Sequence, residues 1–189
     1  GVDPELLRRG VHCSLHRGAV RANADVKSTA WITQRRALAG GSSSSDPAGA
    51  GDEARRHEAG RDDAQRVSTY EHLLAREDGA ILEGASSNFY ACMGSVVHTA
   101  GEGVLQGIAR RIVLTVMEEM APDVTVSFRP ATIPELEAGS VAEAFITSAT
   151  RGVVPVCSID SVELGSPGPI TTEISRRYEL WMERHLRPL

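Results

Sequence analysis

The chain has 189 residues and a formal net charge of -5, so it is long enough for one domain with a sizeable core or for two small ones. The acidic balance excludes the basic surfaces that bind nucleic acids or anionic membranes. No apolar run could span a bilayer, and the start of the chain lacks the basic and apolar regions of a signal peptide. We therefore expect a cytoplasmic protein with no nucleic-acid or membrane partner.

The cysteines and histidines show no spacing that is typical of a metal site or a disulfide framework. Cys13, Cys92 and Cys157 are far apart, and no CxxC pair is present, so we expect free thiols in a reducing compartment. The six histidines form no HExxH or paired-ligand pattern. We therefore expect no bound metal.

The first third of the chain contains a predicted helix at residues 4–9, a predicted strand at 11–15 and then the segment around Lys27. Small and β-branched residues follow Lys27, and the pattern predicts a strand end that turns into a helix ending near residue 38. Residues 39–66 are a low-complexity insert with paired glycines, four consecutive serines and a run of mixed charges. Such a composition cannot bury a core, so we expect disorder there.

A run of short strands follows, arranged around the acidic residue Glu83. An Asp-Gly pair at residues 78–79 separates two apolar runs, and this arrangement is typical of a tight antiparallel hairpin. The pattern predicts strands at residues 70–75, 80–84, 86–92 and 95–99.

A long amphipathic helix is predicted to begin after Gly107. Its apolar residues recur with a 3.6-residue period from Ile108 to Met120. The first turn has no acidic residue, and the free N–H groups at such a helix start can bind an anion. On this pattern alone, we favour a helix that simply begins a packing face.

The C-terminal third alternates strands and helices. Thr132 is predicted to cap a short helix, and a polar turn is predicted at residues 147–152. Pro155 cannot donate to a strand ladder, so its strand is predicted to lie at a sheet edge. The predicted strands are residues 124–128, 142–147 and 153–156, and the predicted helices are residues 133–137 and 170–186.

Lys27 is the only lysine among the 20 Lys and Arg residues of the chain. An amine that can lose its proton can attack a carbonyl and form a Schiff base, whereas a guanidinium stays charged. A Schiff-base lysine together with a carboxylate that can pair with a pyridinium nitrogen suggests pyridoxal phosphate. Taken alone, Lys27 is better explained as a solvated surface lysine in an arginine-rich chain.

Five blocks of the sequence follow one another in a recognisable order. They are residues 26–31, 71–74 with 78–89, 105–110, 145–156 and 168–169. Together they resemble the class IV aminotransferases, the fold-type-IV pyridoxal phosphate enzymes. That family includes branched-chain aminotransferases, D-amino acid aminotransferases and aminodeoxychorismate lyase. Apart from the insert, the resemblance covers most of residues 11–186.

The resemblance implies an α+β fold. This fold is the large C-terminal domain of the D-amino acid aminotransferase-like enzymes, in which short strands form a pseudo-barrel flanked by helices. Residues 1–189 would be this single pyridoxal phosphate-binding domain. The small N-terminal domain of the family, which supplies an Arg for the phosphate, would be missing. Family members are usually dimers, so the resemblance also implies a homodimer.

The resemblance gives each block a role. Lys27 would be the catalytic lysine that carries the cofactor and shuttles a proton. Glu83 would face the pyridine nitrogen and keep it protonated. The start of the long helix and the later polar turn would hold the phosphate. The cofactor-binding residues implied in this way are Lys27, Glu83, Gly107, Ile108, Ala109, Ser148, Ala149 and Thr150.

Three positions depart from the family pattern. Ala109 and Ala149 stand where the family commonly has Thr, so two hydroxyls near the phosphate are absent, although Ser148 and Thr150 flank Ala149. Ile32 stands where many aminotransferases of the family have Tyr. This last departure weakens a branched-chain assignment and leaves room for a lyase.

Three hypotheses follow from the sequence. The first is a transaminase that moves an amino group between an amino acid, branched-chain-like, and a 2-oxo acid. The second is an aminodeoxychorismate lyase, which would use the same lysine to eliminate pyruvate. The third is a truncated, inactive fragment of such an enzyme. Family membership ranks above all three.

Overall fold

The structure is a computed structural model, and it describes residues 2–18, 68–165 and 167–185. The predictions made for Lys27 and for the insert at residues 39–66 lie outside the described residues.

The described residues form four helices and nine strands, mostly where the sequence predicts them. The helices are α1 (Pro4–Arg9), α2 (Ile108–Glu118), α3 (Ile133–Glu137) and α4 (Pro169–His185). The strands are β1 (Val11–Arg17), β2 (Glu71–Ala75), β3 (Ile81–Gly84), β4 (Ser87–Met93), β5 (Val96–His98), β6 (Thr125–Ser127), β7 (Glu143–Ser148), β8 (Gly152–Ile159) and β9 (Val162–Glu163).

Six of these strands close into a barrel. The hydrogen-bonded order is β3-β2-β1-β8-β7-β4, and β4 pairs back onto β3. β5 and β6 continue from β4 outside the ring, and β9 pairs with β8. A closed ring leaves none of its strands with a free edge. The α+β fold expected from the sequence, with short strands in a barrel and helices around it, is confirmed.

Alternation along the strands produces two apolar layers. On β4, Phe89 and Ala91 belong to the layer inside the barrel, which we call the lumen layer. Tyr90 and Cys92 point the other way, into an outer layer that packs beneath α2 and α4. The helical residues buried in this outer layer are Ala109, Ile112, Val113, Val116, Met117, Ile174 and Tyr178.

Two local predictions are confirmed in their geometry. Thr132 Oγ1 accepts a hydrogen bond from the Glu135 N–H, and the Glu135 carboxylate accepts one from the Thr132 N–H, which is a capping box at the start of α3. In the hairpin between β2 and β3, Asp78 Oδ1 accepts from the Ala80 N–H. Gly79 in that hairpin has a φ of 86°, a conformation that favours glycine.

The prediction that Pro155 lies in an edge strand is wrong. β8 lies between β7 and β1 in the ring. Pro155 pairs with Phe145 of β7, whereas the ladder to β1 begins only at Val156. The missing N–H of Pro155 therefore interrupts no part of the β1 ladder, and proline is accommodated in an interior strand.

Within residues 2–18, 68–165 and 167–185, no helix has both the length and the apolar character needed to cross a membrane. The same residues contain no group of three or more His, Cys, Asp or Glu side chains close enough to hold a metal ion.

Candidate active site

A β-bulge in β3 sets the direction of Glu83. The β2–β3 register steps from Leu74 opposite Glu83 to Ala75 opposite Ile81, so β3 contains one extra residue. Ile81 belongs to the lumen layer, whereas Glu83 lies opposite Asn88 of β4. A bulge re-aims the side chains that follow it. Here it turns the Glu83 carboxylate out of the lumen and onto the outer face of the barrel.

The Glu83 carboxylate is buried against the loop that leads to α2. The residue is 1% exposed, and its Oε2 accepts a hydrogen bond from the Leu105 N–H at 3.0 Å. A buried acid held in one orientation is therefore a candidate binding group.

Asn88 completes the link between Glu83 and the start of α2. Its Nδ2 donates to the Leu105 carbonyl at 2.8 Å, so the two side chains hold both backbone polar groups of Leu105. The same carbonyl accepts from the Gly107 N–H at 2.9 Å. These bonds fix the separation between the acid and the first turn of the helix.

The first turn of α2 presents N–H groups that the helix itself does not use. Gly107 is the N-cap residue and provides no side-chain cap, and the first backbone bond of the helix runs from the Arg111 N–H to the Gly107 carbonyl. The N–H groups of Ile108 and Ala109 precede that bond. No acidic side chain lies in the turn, so the helix dipole there favours an anion from elsewhere.

The start of α4 has the opposite arrangement. The carboxylate oxygens of Glu143 accept hydrogen bonds from the N–H groups of Ile170 and Thr171, at 3.2 and 2.8 Å. The protein therefore supplies its own anion to α4. Of these two helices, α2 is the one whose start is suited to the anion of a ligand.

Arg110 anchors the first turn of α2 from the buried side. The residue is 1% exposed, and its guanidinium donates to Gln106 Oε1 at 3.1 Å, to Thr99 Oγ1 at 2.8 Å and to the Ala100 carbonyl at 2.7 Å. Burial also raises the pKa of the nearby Tyr90 hydroxyl, which keeps that group neutral. The three bonds hold the N–H groups of the turn in one direction.

The predicted phosphate turn joins β7 to β8. It is closed by a hydrogen bond from the Arg151 N–H to the Ser148 carbonyl at 3.3 Å. Ala149 and Thr150 lie at its exposed tip, and their N–H groups do not take part in this closing bond. Two backbone N–H groups at this exposed tip are therefore not used to close the turn.

Strand register places this turn beside Glu83. Thr147 lies opposite Asn88, and Asn88 lies opposite Glu83, so the three share the outer face of adjacent strands. Ser148, one residue further along, faces the lumen side. There its hydroxyl oxygen accepts a hydrogen bond from Arg151 Nε at 3.0 Å. The Ser148 side chain thus points away from the face that carries Glu83.

The structure gathers every predicted site residue that it describes at one end of the barrel, whereas Lys27 lies outside the described residues. Two clefts, of about 400 and 260 Å³, lie elsewhere, at the β2–β3 hairpin and between the C-terminal parts of α2 and α4. The residues gathered at the site are Glu83, Gly107, Ile108, Ala109, Ser148, Ala149 and Thr150.

Three further residues hold this end of the barrel together, and the sequence alone assigns them no role. They are Asn88, Glu71 and Arg151. One signal was available for Glu71, because it shares a strand face with the apolar residues Leu73 and Ala75. An acid on an otherwise apolar strand face is a candidate for a buried partner.

Comparison with known protein families identifies the chain. The sequence model of amino-transferase class IV matches residues 56–159. The chain belongs to this family. The class IV aminotransferases are pyridoxal phosphate-dependent enzymes, and the family resemblance found in the sequence is confirmed.

Several proteins of known activity are similar to this chain in sequence. A D-alanine aminotransferase of Bacillus licheniformis is 37% identical over 115 residues, which cover 59% of this chain and 39% of that protein. A D-alanine aminotransferase of Staphylococcus epidermidis is 30% identical over 126 residues, covering 65% and 43%. An aminodeoxychorismate lyase of Bacillus subtilis is 31% identical over 113 residues, covering 58% and 37%. The matches span less than half the length of these relatives.

Solved structures of branched-chain aminotransferases share the fold. A branched-chain aminotransferase of T.th., solved with pyridoxamine 5'-phosphate, has a TM-score of 0.70 and 20% identity, over 95% of this chain and 52% of that one. The enzyme of Thermoproteus uzoniensis with norvaline has a TM-score of 0.67 and 22% identity, over 94% and 52%. At this level of identity the likeness shows that the chain and these enzymes share a fold.

Proposed function

We propose that this class IV aminotransferase uses pyridoxal 5'-phosphate to transfer an amino group between an amino acid and a 2-oxo acid. The observation that carries the proposal is the coupling of Glu83 to the start of α2 through Leu105. A buried carboxylate and a helix start free of acidic groups suit the two ends of this cofactor, its pyridine nitrogen and its phosphate.

The chemistry of the donors fits the cofactor. When bound, pyridoxal phosphate supplies an electron sink for the charge that develops at the α-carbon of an amino acid. Glu83 would hold a proton on the ring nitrogen. The N–H groups of Ile108 and Ala109, with those of the 148–150 turn, would bind the phosphate oxygens. Lys27 would carry the cofactor and move the proton at the α-carbon.

Gly107 supports a ligand at this place. Its φ of -71° and ψ of 161° suit any residue. A Cβ placed there would meet Asn88 Oδ1 at 3.5 Å, which is an ordinary contact. Neither the backbone conformation nor the packing of the described residues requires glycine. The absence of a side chain therefore matches a position at which a ligand approaches the backbone closely.

The substrate is proposed from the relatives. D-alanine is the first amino acid to test, because the relatives that are 37% and 30% identical are D-alanine aminotransferases. The branched-chain substrate predicted from the sequence is the second. Elimination of pyruvate from aminodeoxychorismate is the alternative reaction, supported by the 31% identical lyase.

The proposal is tested by adding pyridoxal phosphate to the purified 189-residue chain and recording the visible absorption of the lysine-bound cofactor. After unbound cofactor is removed, we expect a yellow band in the wild type and a much weaker one in Lys27→Ala, in which only the N-terminal amine remains. D-alanine, L-leucine or aminodeoxychorismate is then added, with 2-oxoglutarate for the two amino acids. Formation of pyruvate, of 4-methyl-2-oxopentanoate or of an aromatic amine identifies the substrate class. Absence of the band in both proteins would overturn the proposal.

We further propose that the enzyme is a cytoplasmic homodimer, as the family resemblance implies. The measurement is sedimentation equilibrium of the purified chain with and without pyridoxal phosphate. A mass of two chains supports the proposal, and a monomer at micromolar concentration in both conditions contradicts it.

A further inference from the structure

A cluster of polar residues closes the end of the barrel at which the proposed site lies. This barrel-end cluster consists of Glu71, Ser86, Ser87, Ser148 and Arg151. It joins the start of β2, the β3–β4 turn and the β7–β8 turn, which are far apart in sequence. The cluster therefore joins, through side-chain hydrogen bonds, three segments that the strand ladders do not join directly.

Glu71 is the centre of the barrel-end cluster. It is 5% exposed and lies on the lumen face of β2. Its Oε2 accepts hydrogen bonds from Ser86 Oγ at 2.5 Å, from Ser87 Oγ at 3.1 Å and from an Arg151 terminal nitrogen at 3.0 Å. Glu71 is buried and the Arg151 side chain is 20% exposed, so salt screens this hydrogen-bonded pair less than it screens a pair on the surface.

Arg151 reaches from its own turn to the neighbouring one. Its backbone N–H closes the β7–β8 turn, and its Nε donates to Ser148 Oγ in the same turn at 3.0 Å. Its terminal nitrogen donates to the Ser86 carbonyl at 3.2 Å and to Ser86 Oγ at 2.7 Å. The guanidinium also lies 5.4 Å from the centre of the Tyr70 ring. One side chain therefore fixes the two turns relative to each other.

The packing at Gly84 shows how closely the cluster fits. A Cβ at Gly84 would overlap Ser87 Oγ and would lie 2.9 Å from Glu71 Cγ. Both approaches are far inside van der Waals contact, so a side chain at Gly84 would displace the groups that bind Arg151. Gly84 directly follows Glu83, and the cluster is thus built against the residue next to the proposed ring-binding acid.

We propose that Arg151 is a positioning residue for the phosphate end of the site. By tying the β7–β8 turn to the β3–β4 turn, it sets where the N–H groups of Ala149 and Thr150 stand relative to Glu83. Ala149 has no hydroxyl to offer, so the turn can bind a phosphate at that residue only through its backbone. The direction of the backbone then decides the affinity. This inference rests on the proposed function.

The test compares two ligands that differ only in the phosphate. Dissociation constants for pyridoxal phosphate and for pyridoxal are measured by absorbance titration with the full chain. The variants are Arg151→Gln and the double variant Glu71→Gln/Arg151→Gln. Arg129→Gln is the control, because Arg129 also pairs with a glutamate, at 2.9 Å, but on the exposed surface beside α3. Stability is followed by urea unfolding of each protein.

We expect both cluster variants to weaken pyridoxal phosphate binding by about tenfold, the effect of losing one charge-assisted hydrogen-bond network. Pyridoxal binding should change less than about twofold, since pyridoxal has no phosphate for the turn to hold. Arg129→Gln should change neither constant. The double variant leaves no unpaired buried charge, so it should recover stability relative to Arg151→Gln without recovering phosphate affinity.

Two results separate a failure of this inference from a failure of the proposed function. If the wild type binds pyridoxal phosphate but the variants bind it equally well, or if affinity returns together with stability in the double variant, the positioning role is overturned while the function stands. If the wild type binds neither ligand, the proposed function is overturned and the inference falls with it.

Discussion

At the scale of single residues, the site is built by side chains that hold backbone in place. Glu83 and Asn88 bind the two polar groups of Leu105. Arg110 fixes the first turn of α2, and Arg151 fixes the β7–β8 turn. The direction of a backbone N–H group is set by the side chains that hold its peptide in place. The affinity of a site built from such groups therefore depends on those supporting side chains.

Gly107→Ala is predicted to separate ligand binding from folding. The extra methyl group meets only an ordinary contact at Asn88, so the midpoint of urea unfolding should be unchanged. The dissociation constant for pyridoxal phosphate should rise about tenfold, because the methyl group would stand where the ligand approaches the helix start. Gly84→Ala is the contrasting variant, and it should be strongly destabilised. Unchanged cofactor affinity in Gly107→Ala would contradict a ligand at this backbone.

Thiol reactivity is predicted to be confined to one cysteine. Burial raises the pKa of the Cys92 thiol to about 12, and burial followed by the nearby Glu71 charge raises the pKa of the Cys13 thiol. Both thiols are therefore protonated and enclosed at pH 8. Iodoacetamide labelling of the folded chain, read by peptide mass spectrometry, should mark the half-buried Cys157 first. Labelling of Cys13 to the same extent as Cys157 under native conditions would contradict the burial of Cys13 in the lumen layer.

At the scale of elements, α2 and α4 differ in how their first turns are satisfied. Glu143 of β7 supplies a carboxylate to α4, while α2 has no acid in its first turn. Gly168 allows this approach, because a Cβ there would overlap the Glu143 carboxylate. A side chain of the protein thus satisfies the start of α4, whereas the start of α2 has no side-chain cap and no acidic residue.

Glu143→Gln is predicted to lower the free energy of unfolding by about 1 kcal/mol, since the amide keeps one acceptor but loses the charge at the helix N-terminus. Urea unfolding at pH 7 measures the change. Glu163→Gln, at an exposed position of β9, is the control and should be close to neutral. A neutral Glu143→Gln would show that α4 does not depend on this carboxylate.

The cap of α3 gives a pH-dependent prediction. Hydrogen bonding to Arg129 lowers the pKa of Glu135 from its usual 4.5 to about 2. Because the folded value is the lower one, the contribution of the pair to stability is complete above about pH 4.5 and is lost as the pH falls towards 2. The difference in unfolding free energy between wild type and Arg129→Gln should therefore shrink between pH 5 and pH 2. A difference that is constant over this range would contradict the assignment.

Local chemistry made several elements predictable from sequence. The 3.6-residue period of α2, the Thr132 capping box and the Asp-Gly hairpin depend on residues close in the chain, and the structure has all three. The edge prediction for Pro155 was wrong because β8 has a neighbouring strand on each side. Proline is accommodated there because the hydrogen-bonded ladder between β1 and β8 begins only at the next residue, Val156. The bulge in β3 is also invisible in sequence, yet it decides the direction of Glu83.

At the scale of the whole molecule, barrel closure brings the site together. β1 is inserted between β2 and β8 and runs parallel to both, and β4 returns to β3 to complete the ring. The pairings of β1 join segments that are distant in sequence, and Val11 and Val156 are more than a hundred positions apart. No local pattern predicts them, and only the family resemblance indicated a barrel.

The candidate site was also predictable only in part, because some of its contacts join residues that are distant in sequence. The resemblance indicated Glu83, the start of α2 and the 148–150 turn, and the structure places these at one end of the barrel. It did not indicate the Glu71–Arg151 pair, because an ion pair across 80 positions becomes visible only when the strands are closed. Residues that hold a site in place without forming part of it do not belong to a recognisable sequence motif.

The most direct test of the account uses the single lysine. The purified chain is incubated with pyridoxal phosphate and treated with sodium borohydride, and peptide mass spectrometry locates the adduct on Lys27 or on the N-terminal amine, the two available amines of the chain. We expect an adduct concentrated at Lys27 in the wild type and much reduced in Glu83→Gln. Equal labelling of both amines, unchanged in Glu83→Gln, would show that residues 27 and 83 do not serve one cofactor.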